Sequence, residues 1–284
     1  LVKQARIMSQ KYDVVCTNPP YAGSGGVDSK VNNYIKRYYQ DSSSDLYSVF
    51  IELCINMSKQ NGYISMITQQ SWMFLSSYEA LRKKIINNMY INNMIHLGSR
   101  AFKEIGGEVV QSTTFVIQNF RNDNFKGTFI RLVDFNEADE KELQYLNIVS
   151  NCDKKNQSFA DNNDFRSIKG VPIAYWISNK VRRIFNKNKV INDFAKCKSG
   201  IMTGNDKLFL KLWYEVSIDD IGFGLNNYDD MIKYNYKWYP LNKGGEYRKW
   251  YGNNEYIIFM SNGGQLIKQK SLNYRLRDSK YYFL

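Results

Sequence analysis

Tyr12-Asp13-Val14-Val15-Cys16-Thr17-Asn18-Pro19-Pro20-Tyr21 is the stretch on which the fold turns. Residues 12–17 are rich in β-branched and aromatic side chains and read as a short buried strand. Proline has no N–H for a ladder and cannot continue a central strand, so the strand stops at Thr17 and delivers a rigid Asn-Pro-Pro-Tyr loop at its carboxyl end. The chain has only four prolines, and two of them stand here. Ligands of open α/β sheets bind beyond the carboxyl ends of the strands, which puts this loop on the functional edge.

Outward from the loop, AGSGGVDSK (22–30) reads as a mobile Gly/Ser flap. No Lys-Ser/Thr follows GSGG, so it is not a phosphate cradle. From Asp45 to Lys59, Leu46, Val49, Phe50, Leu53 and Met57 recur at helical spacing, and Asn61-Gly62 is expected to stop the helix. YISMIT (63–68) reads as a strand. A helix over 78–88 should bury Leu81, Ile85 and Ile86 and turn Arg82, Lys83 and Lys84 to solvent. Strands follow at 94–98 and 113–120. Alternating strands and helices imply an α/β fold with a parallel sheet. Residues 137–168 turn polar and read as a connector or poorly packed insertion. The expected domains are therefore 1–150 and 151–284, with the boundary between 140 and 190. The second, in which periodicity is weak and Gly-rich turns are frequent, reads as mixed α+β.

The 284 residues, 43% hydrophobic and 15% aromatic, can build real cores, which excludes a disordered basic tail. The net charge of +12 is uneven: residues 1–150 hold 16 basic and 14 acidic side chains, leaving 23 and 13 for residues 151–284. A basic globular half favours a polyanionic partner. Cys16, Cys54, Cys152 and Cys197 lie far apart with no CxxC pair, and His96 is the only histidine, so neither a zinc site nor a disulfide framework is expected, no metal is implied, and a reducing cytoplasm fits best. No apolar run reaches the roughly 20 residues that span a bilayer, so no membrane partner is expected. His96 lies in the apolar MIHLG and reads as a satisfied core histidine, and Phe115 as core. Between Tyr234 and Tyr256, aromatics interleave with cations as a nucleic-acid surface requires. Lys198, Lys237, Lys243, Arg248, Lys249, Trp250 and Tyr251 are the candidate contacts.

Asn-Pro-Pro-Tyr after YDVVC resembles the S-adenosylmethionine-dependent amino-methyltransferases, and among them the N6-adenine DNA methyltransferases whose target-recognition region follows the catalytic domain. SDLYSVFIELC (44–54), NGYISMITQQSWMFLSSYEALRKKI (61–85), HLGSRAFKEIGGEVVQSTTFVIQN (96–119) and KWYPLNKGGEYRKWYGNNEY (237–256) resemble the methyltransferases of BREX phage-exclusion systems. CKSGIMTGNDKLFL (197–210) is similar to the start of their recognition domain. The resemblance covers essentially the whole chain. It implies the carboxyl-terminal part of a Rossmann-like methyltransferase sheet followed by a mixed α+β target-recognition domain. Its implied cofactor is S-adenosylmethionine, and its implied partners are double-stranded DNA and other subunits of a defence system. In the family order the Gly-rich cofactor turn lies many tens of residues before Asn-Pro-Pro-Tyr. Only 17 residues, none of them glycine, precede Asn18. The cofactor site is expected to be incomplete in this chain, which alone should bind the cofactor weakly or not at all and be inactive.

The chemistry such a loop must support follows from adenine itself. The N6 lone pair is delocalised into the ring, so the amine is a poor nucleophile until acceptors on its N–H groups localise the pair. A carboxamide oxygen from Asn18 and the Pro19 carbonyl accept without being protonated at neutral pH, and Pro20 helps hold them aimed before the base arrives. A base inside a duplex must be flipped out, and Tyr21 is the natural stacking platform. The resemblance adds Phe102 as a second aromatic, against its plain reading as core, and sets Asp45 near the base or cofactor pocket, against its plain reading as a helix cap. Two other readings stand beside this one: a protein glutamine methyltransferase, and a non-catalytic DNA-recognition or scaffolding module of a defence complex.

Overall fold

A computed structural model describes residues 1–102, 110–150, 154–196 and 198–282. The chain divides into two compact units, Leu1–Val190 and Ile191–Leu284.

In the first unit, helix α1 (Val2–Ser9) leads into strand β1 (Tyr12–Thr17), followed by α2 (Ser29–Tyr38), α3 (Leu46–Met57), β2 (Ser58–Gln69), α4 (Glu79–Asn88), β3 (Tyr90–Gly98), β4 (Ser112–Gln118), β5 (Gly127–Arg131), α5 (Ala138–Val149), β6 (Gln157–Ala160), α6 (Asn162–Arg166) and α7 (Asn179–Lys187). The six strands form one sheet in the order β1-β2-β4-β3-β5-β6. The α/β class holds, but the sheet is mixed. β1 runs parallel to β2 and β3 to β5, while β4 is antiparallel to β2 and β3, and β6 to β5. The crossover through α4 leaves a gap between β2 and β3, and β4 returns to fill it. Strands β1, β2, β3 and β5 therefore end on the same edge.

β1 is not buried as its composition suggests. It is an edge strand with half of its residues exposed, Val14 at 61%, because β2 covers only one side of it. Helix α3 ends at Met57, before Asn61-Gly62, and β2 starts at once. The register jumps from Tyr12↔Ser58 to Val14↔Tyr63, so Asn61-Gly62 marks a bulge rather than a helix stop. Asn61 is left-handed at φ 65°. At Gly62 a Cβ would stand 2.9 Å from the Asp13 carbonyl, so only glycine fits.

The main core packs α3 and α4 on the sheet through Tyr47, Ile51, Leu81, Ile85, Ile64, Phe115 and Phe129. Each such burial contributes about 1.5–3 kcal/mol. Arg82 is not on the solvent side; it is 1% exposed. Its guanidinium donates to the carbonyls of Trp72 (2.8 Å), Leu75 (2.6 Å), Gly170 (2.8 Å) and Val171 (3.1 Å), which is why a charge survives there. Residues 137–168 are not a loose connector either. They supply α5, β6 and α6, and Ile148 of α5 packs on Ile130 and Leu132. The buried Lys141 ammonium donates to the Leu97, Leu132 and Phe135 carbonyls at 2.5–3.0 Å.

The second unit carries α8 (Asp206–Phe209), β7 (Leu210–Leu212), α9 (Tyr228–Tyr234), β8 (Trp238–Leu241), β9 (Tyr256–Phe259) and α10 (Ser261–Lys270). Its antiparallel sheet has the order β7-β9-β8, around a core of Phe209, Met231, Tyr239, Ile258, Met260 and Ile267.

Candidate active site

Thr17, the last residue of β1, pairs with Met66, so the Asn-Pro-Pro-Tyr loop leaves the sheet at the edge where the parallel strands end. Asn18 and Pro20 are exposed, Pro19 is buried, and Tyr21 is half-buried. The loop is held at its far end by Asp45. This residue caps α3 by accepting the Tyr47 N–H at 3.2 Å, and the same oxygen accepts the Ala22 N–H at 3.1 Å. The Leu46 N–H donates back to the Ala22 carbonyl at 3.0 Å. Asp45 thus joins the helix cap to the loop, and its plain reading as a cap is what the geometry shows. The Gly/Ser segment is a bridge from Gly23 to Asp45 followed by a 3-10 turn over Ser24–Gly26.

The Tyr21 ring meets the Tyr47 ring edge-on, centroids 6.0 Å apart, and its hydroxyl lies 3.5 Å from the Ile67 carbonyl. Tyr47 is fully buried, with its hydroxyl 2.7 Å from Ser71 Oγ. Burial pushes both phenols up, so they stay neutral. Ser71 precedes Trp72, whose carbonyl Arg82 holds. A continuous chain of contacts therefore runs from Arg82 through Ser71 and Tyr47 to Tyr21.

His96 is a satisfied buried histidine. Nε2–H donates to Gln70 Oε1, and Nδ1 accepts from the Tyr175 hydroxyl at 3.1 Å. Burial first, then the charges of Arg131 and Lys141, hold it down to about pKa 4, so it is neutral. Phe115 is core, with the ring of Trp72 against it. Phe74 and Trp176 pack at 5.6 Å beside His96, and the Arg131 guanidinium lies 5.7 Å over Trp176. Gln70, Phe74 and Trp176 were not singled out from the sequence, and Arg82 was expected at the surface. Gln70 follows β2 directly, and Phe74 follows the 3-10 turn over Gln70–Met73. Phe102 is half-buried, while residues 103–109 of its loop lie outside the described residues.

In the second unit, Lys243, Arg248, Trp250 and Tyr251 line one open groove of about 800 Å³. Lys243 is paired with Asp206 at 2.5 Å, Arg248 with Glu255 at 3.8 Å and Lys237 with Asp220 at 3.1 Å. Lys249 stands over the Trp250 ring at 5.6 Å. Lys198 instead borders a separate pocket of about 480 Å³ with Ile201, Tyr239 and Arg277. Trp238 and Tyr239 are buried, so part of the aromatic stretch is core. Among the described residues no cluster of three His, Cys, Asp or Glu side chains could hold a metal ion. Cys16 is exposed, and burial pushes the Cys54 thiol up to about 11. Cys152 and Cys197 lie outside the described residues. No described helix is long and apolar enough to cross a membrane.

The Asn-Pro-Pro-Tyr loop stands at the carboxyl edge of an α/β sheet, and comparison with known proteins gives the class, that of the adenine-specific methyltransferases. Residues 2–102 match the family of the Eco57I restriction-modification methylase. The chain is 40% identical over 94% of its length to the adenine-specific methyltransferase PglX of Lacticaseibacillus casei (strain Zhang). It is 41% identical over 98% of its length to the adenine-specific methyltransferase BrxX of Escherichia coli O9:H4 (strain HS). It spans 22% of the length of each of these relatives. Over 49% of the chain, and 14% of the relative, it is 29% identical to the type II restriction enzyme and methyltransferase RM.Eco57I of Escherichia coli. The chain is a homologue of the BREX-type adenine-specific methyltransferases over nearly its whole length, and the resemblance drawn from its sequence is borne out.

Proposed function

We propose that this chain is part of a site-specific DNA methyltransferase that modifies the N6 of a flipped-out adenine in duplex DNA, in phage defence or restriction-modification. The observation that carries it is the Asn-Pro-Pro-Tyr loop at the carboxyl edge, anchored to α3 through Asp45. The donor implied by the relatives is S-adenosylmethionine, which supplies an electrophilic methyl on a sulfonium. Residues 1–17, which form α1 and β1, offer no Gly-rich turn to hold it, so no cofactor contact is assigned to them.

The chain's own residues act on the base. Asn18 Oδ1 and the Pro19 carbonyl accept the two N6–H groups, draw the nitrogen toward sp3 and localise its lone pair; Pro20 keeps both aimed. On methylation N6 gives up one proton, which these neutral acceptors cannot keep and which passes to bulk water at the exposed loop. Tyr21, its plane set by Tyr47, stacks on the extruded base and returns about 1–3 kcal/mol of the flipping cost. Phe102 is the second aromatic of that pocket. Asp45 acts by holding the loop rather than by touching the base.

The basic second unit grips the duplex through Lys198, Lys237, Lys243, Arg248, Lys249, Trp250 and Tyr251, with affinity falling steeply as salt rises. Other subunits of the defence system and a cytoplasmic location complete the reading. The test is methylation-sensitive sequencing of DNA from cells carrying the whole gene or its Asn18→Ala version. Loss of modified adenines with Asn18→Ala supports the assignment; unchanged modification overturns it.

A further inference from the structure

The loop over residues 245–254 connects β8 to β9 and carries Tyr247, Trp250 and Tyr251, exposed at 85%, 88% and 87%. Large aromatic rings bury 150–250 Å² when covered, so three of them turned to solvent on one short loop call for a ligand. Among the described residues no other ring packs on any of the three. The loop is nevertheless a built structure. Asn253 Nδ2 donates to the Glu246 carbonyl at 3.1 Å and closes its neck, Asn253 takes the left-handed conformation at φ 61°, and Arg248 reaches Glu255.

What alternates with the rings identifies the partner. Arg248 and Lys249 lie between them in sequence, with the Lys249 ammonium over the Trp250 face, and Lys243 and Arg248 line the groove below. Protein-docking patches are depleted of lysine at their centres. Rings interleaved with Lys249 and with Arg248, whose pair with Glu255 is long at 3.8 Å, suit a ligand with apolar faces stacked inside an anionic sheath, which is duplex DNA.

We propose that Trp250, flanked by Tyr251, is a wedge that inserts into the base stack of the DNA, while Lys249 and Arg248 hold the phosphates on either side. This rests on the reading that the second unit grips duplex DNA. A wedge unstacks and unwinds the helix, which a phosphate grip alone does not do.

The full chain, Trp250→Ala and Lys249→Gln would each be bound to a relaxed closed-circular plasmid, treated with topoisomerase and deproteinised. The topoisomers would then be compared, beside a salt titration of binding to a mixed-sequence duplex. The unaltered chain is expected to shift the topoisomer distribution. Trp250→Ala should abolish the shift and weaken binding about tenfold, with the slope of log affinity against log salt unchanged. Lys249→Gln should keep the shift and lower that slope by about one. Both side chains are exposed, and an unchanged melting temperature verifies folding. If the unaltered chain binds with salt sensitivity but leaves the topoisomers alone, or Trp250→Ala shifts them equally, the wedge is wrong, the DNA grip stands, and the loop is left as a protein contact. Absence of salt-sensitive binding by the unaltered chain overturns both.

Discussion

Asp45 accepts the backbone N–H of Ala22 at 3.1 Å through the same oxygen that caps α3. One carboxylate oxygen, 24 positions beyond Tyr21, thereby fixes where the Asn-Pro-Pro-Tyr loop ends. Asp45→Ala loses the cap, which costs about 0.5–2 kcal/mol, together with the loop anchor. A drop of that size in urea stability, with loss of adenine methylation by the whole protein, is expected. Asp45→Asn keeps an acceptor oxygen and should stay close to the original in both. Full methylation by Asp45→Ala would show that the anchor is dispensable.

Arg82 is held by four backbone carbonyls from two segments, one of which contains Val171 in the left-handed region at φ 49°. That conformation is unfavourable for a β-branched residue, and the guanidinium pins it. Arg82→Ala leaves the acceptors unpaired over a cavity, so the expected loss is on the order of 4 kcal/mol or more. Arg82→Lys, with three donors in place of a planar fork, should recover part of it. Chemical denaturation reads both, and a loss under 1 kcal/mol for Arg82→Ala would contradict the clasp.

His96 makes stability depend on pH. The unfolded chain binds its proton below about 6.5, the folded chain only below about 4, so between those values the unfolded state holds more protons. Stability is complete above about pH 6.5 and falls as pH drops toward 4, by something of the order of 3 kcal/mol in full. Since His96 is the only histidine, His96→Gln should flatten the curve between pH 6.5 and 5, above most carboxylate titration. An unchanged slope there would remove His96 as its cause.

The ion pair of Lys243 with Asp206 holds that carboxyl below the usual range, chiefly through the hydrogen bond from Lys243. In the DNA reading it also subdues one cation of the groove. Asp206→Asn keeps an acceptor for the Thr203 hydroxyl, now at 2.5 Å, and frees the ammonium. Binding to duplex DNA should tighten, with a salt slope steeper by up to about one. Unaltered affinity and slope would place Lys243 outside the interface.

The strands and helices nearest the loop were legible where local chemistry decides them. β1 ends at Thr17 because prolines follow, and α3 and α4 carry their apolar positions at helical spacing. The segment 137–168 was not legible, because α5 exposes Leu143, Leu146 and Val149 while burying Lys141, so its pattern is inverted relative to an ordinary amphipathic helix. β6, Gln-Ser-Phe-Ala, is four residues long, too short for its alternation to show in the sequence. Asn18, Pro19, Pro20 and Tyr21 could be named from four consecutive letters. The supports behind them could not: Arg82 and Lys141 look like surface cations until backbone carbonyls from distant segments surround them.

By itself the sequence determined what depends on neighbours along the chain: the end of β1, the Asn-Pro-Pro-Tyr loop that follows it, the helical spacing of α3 and α4, and the concentration of positive charge after residue 150. Tertiary structure alone decided what depends on pairing across the chain. It inserted β4 antiparallel between β2 and β3, gave Asp45 its second partner, and sent Trp238 into a core while leaving Trp250 in solvent. The reason is that burial and hydrogen-bond satisfaction are properties of a residue's surroundings in space. Trp238 is core because β9 lies beside it, while Trp250, with the Lys249 ammonium over its face and no other ring packed on it among the described residues, is a candidate wedge.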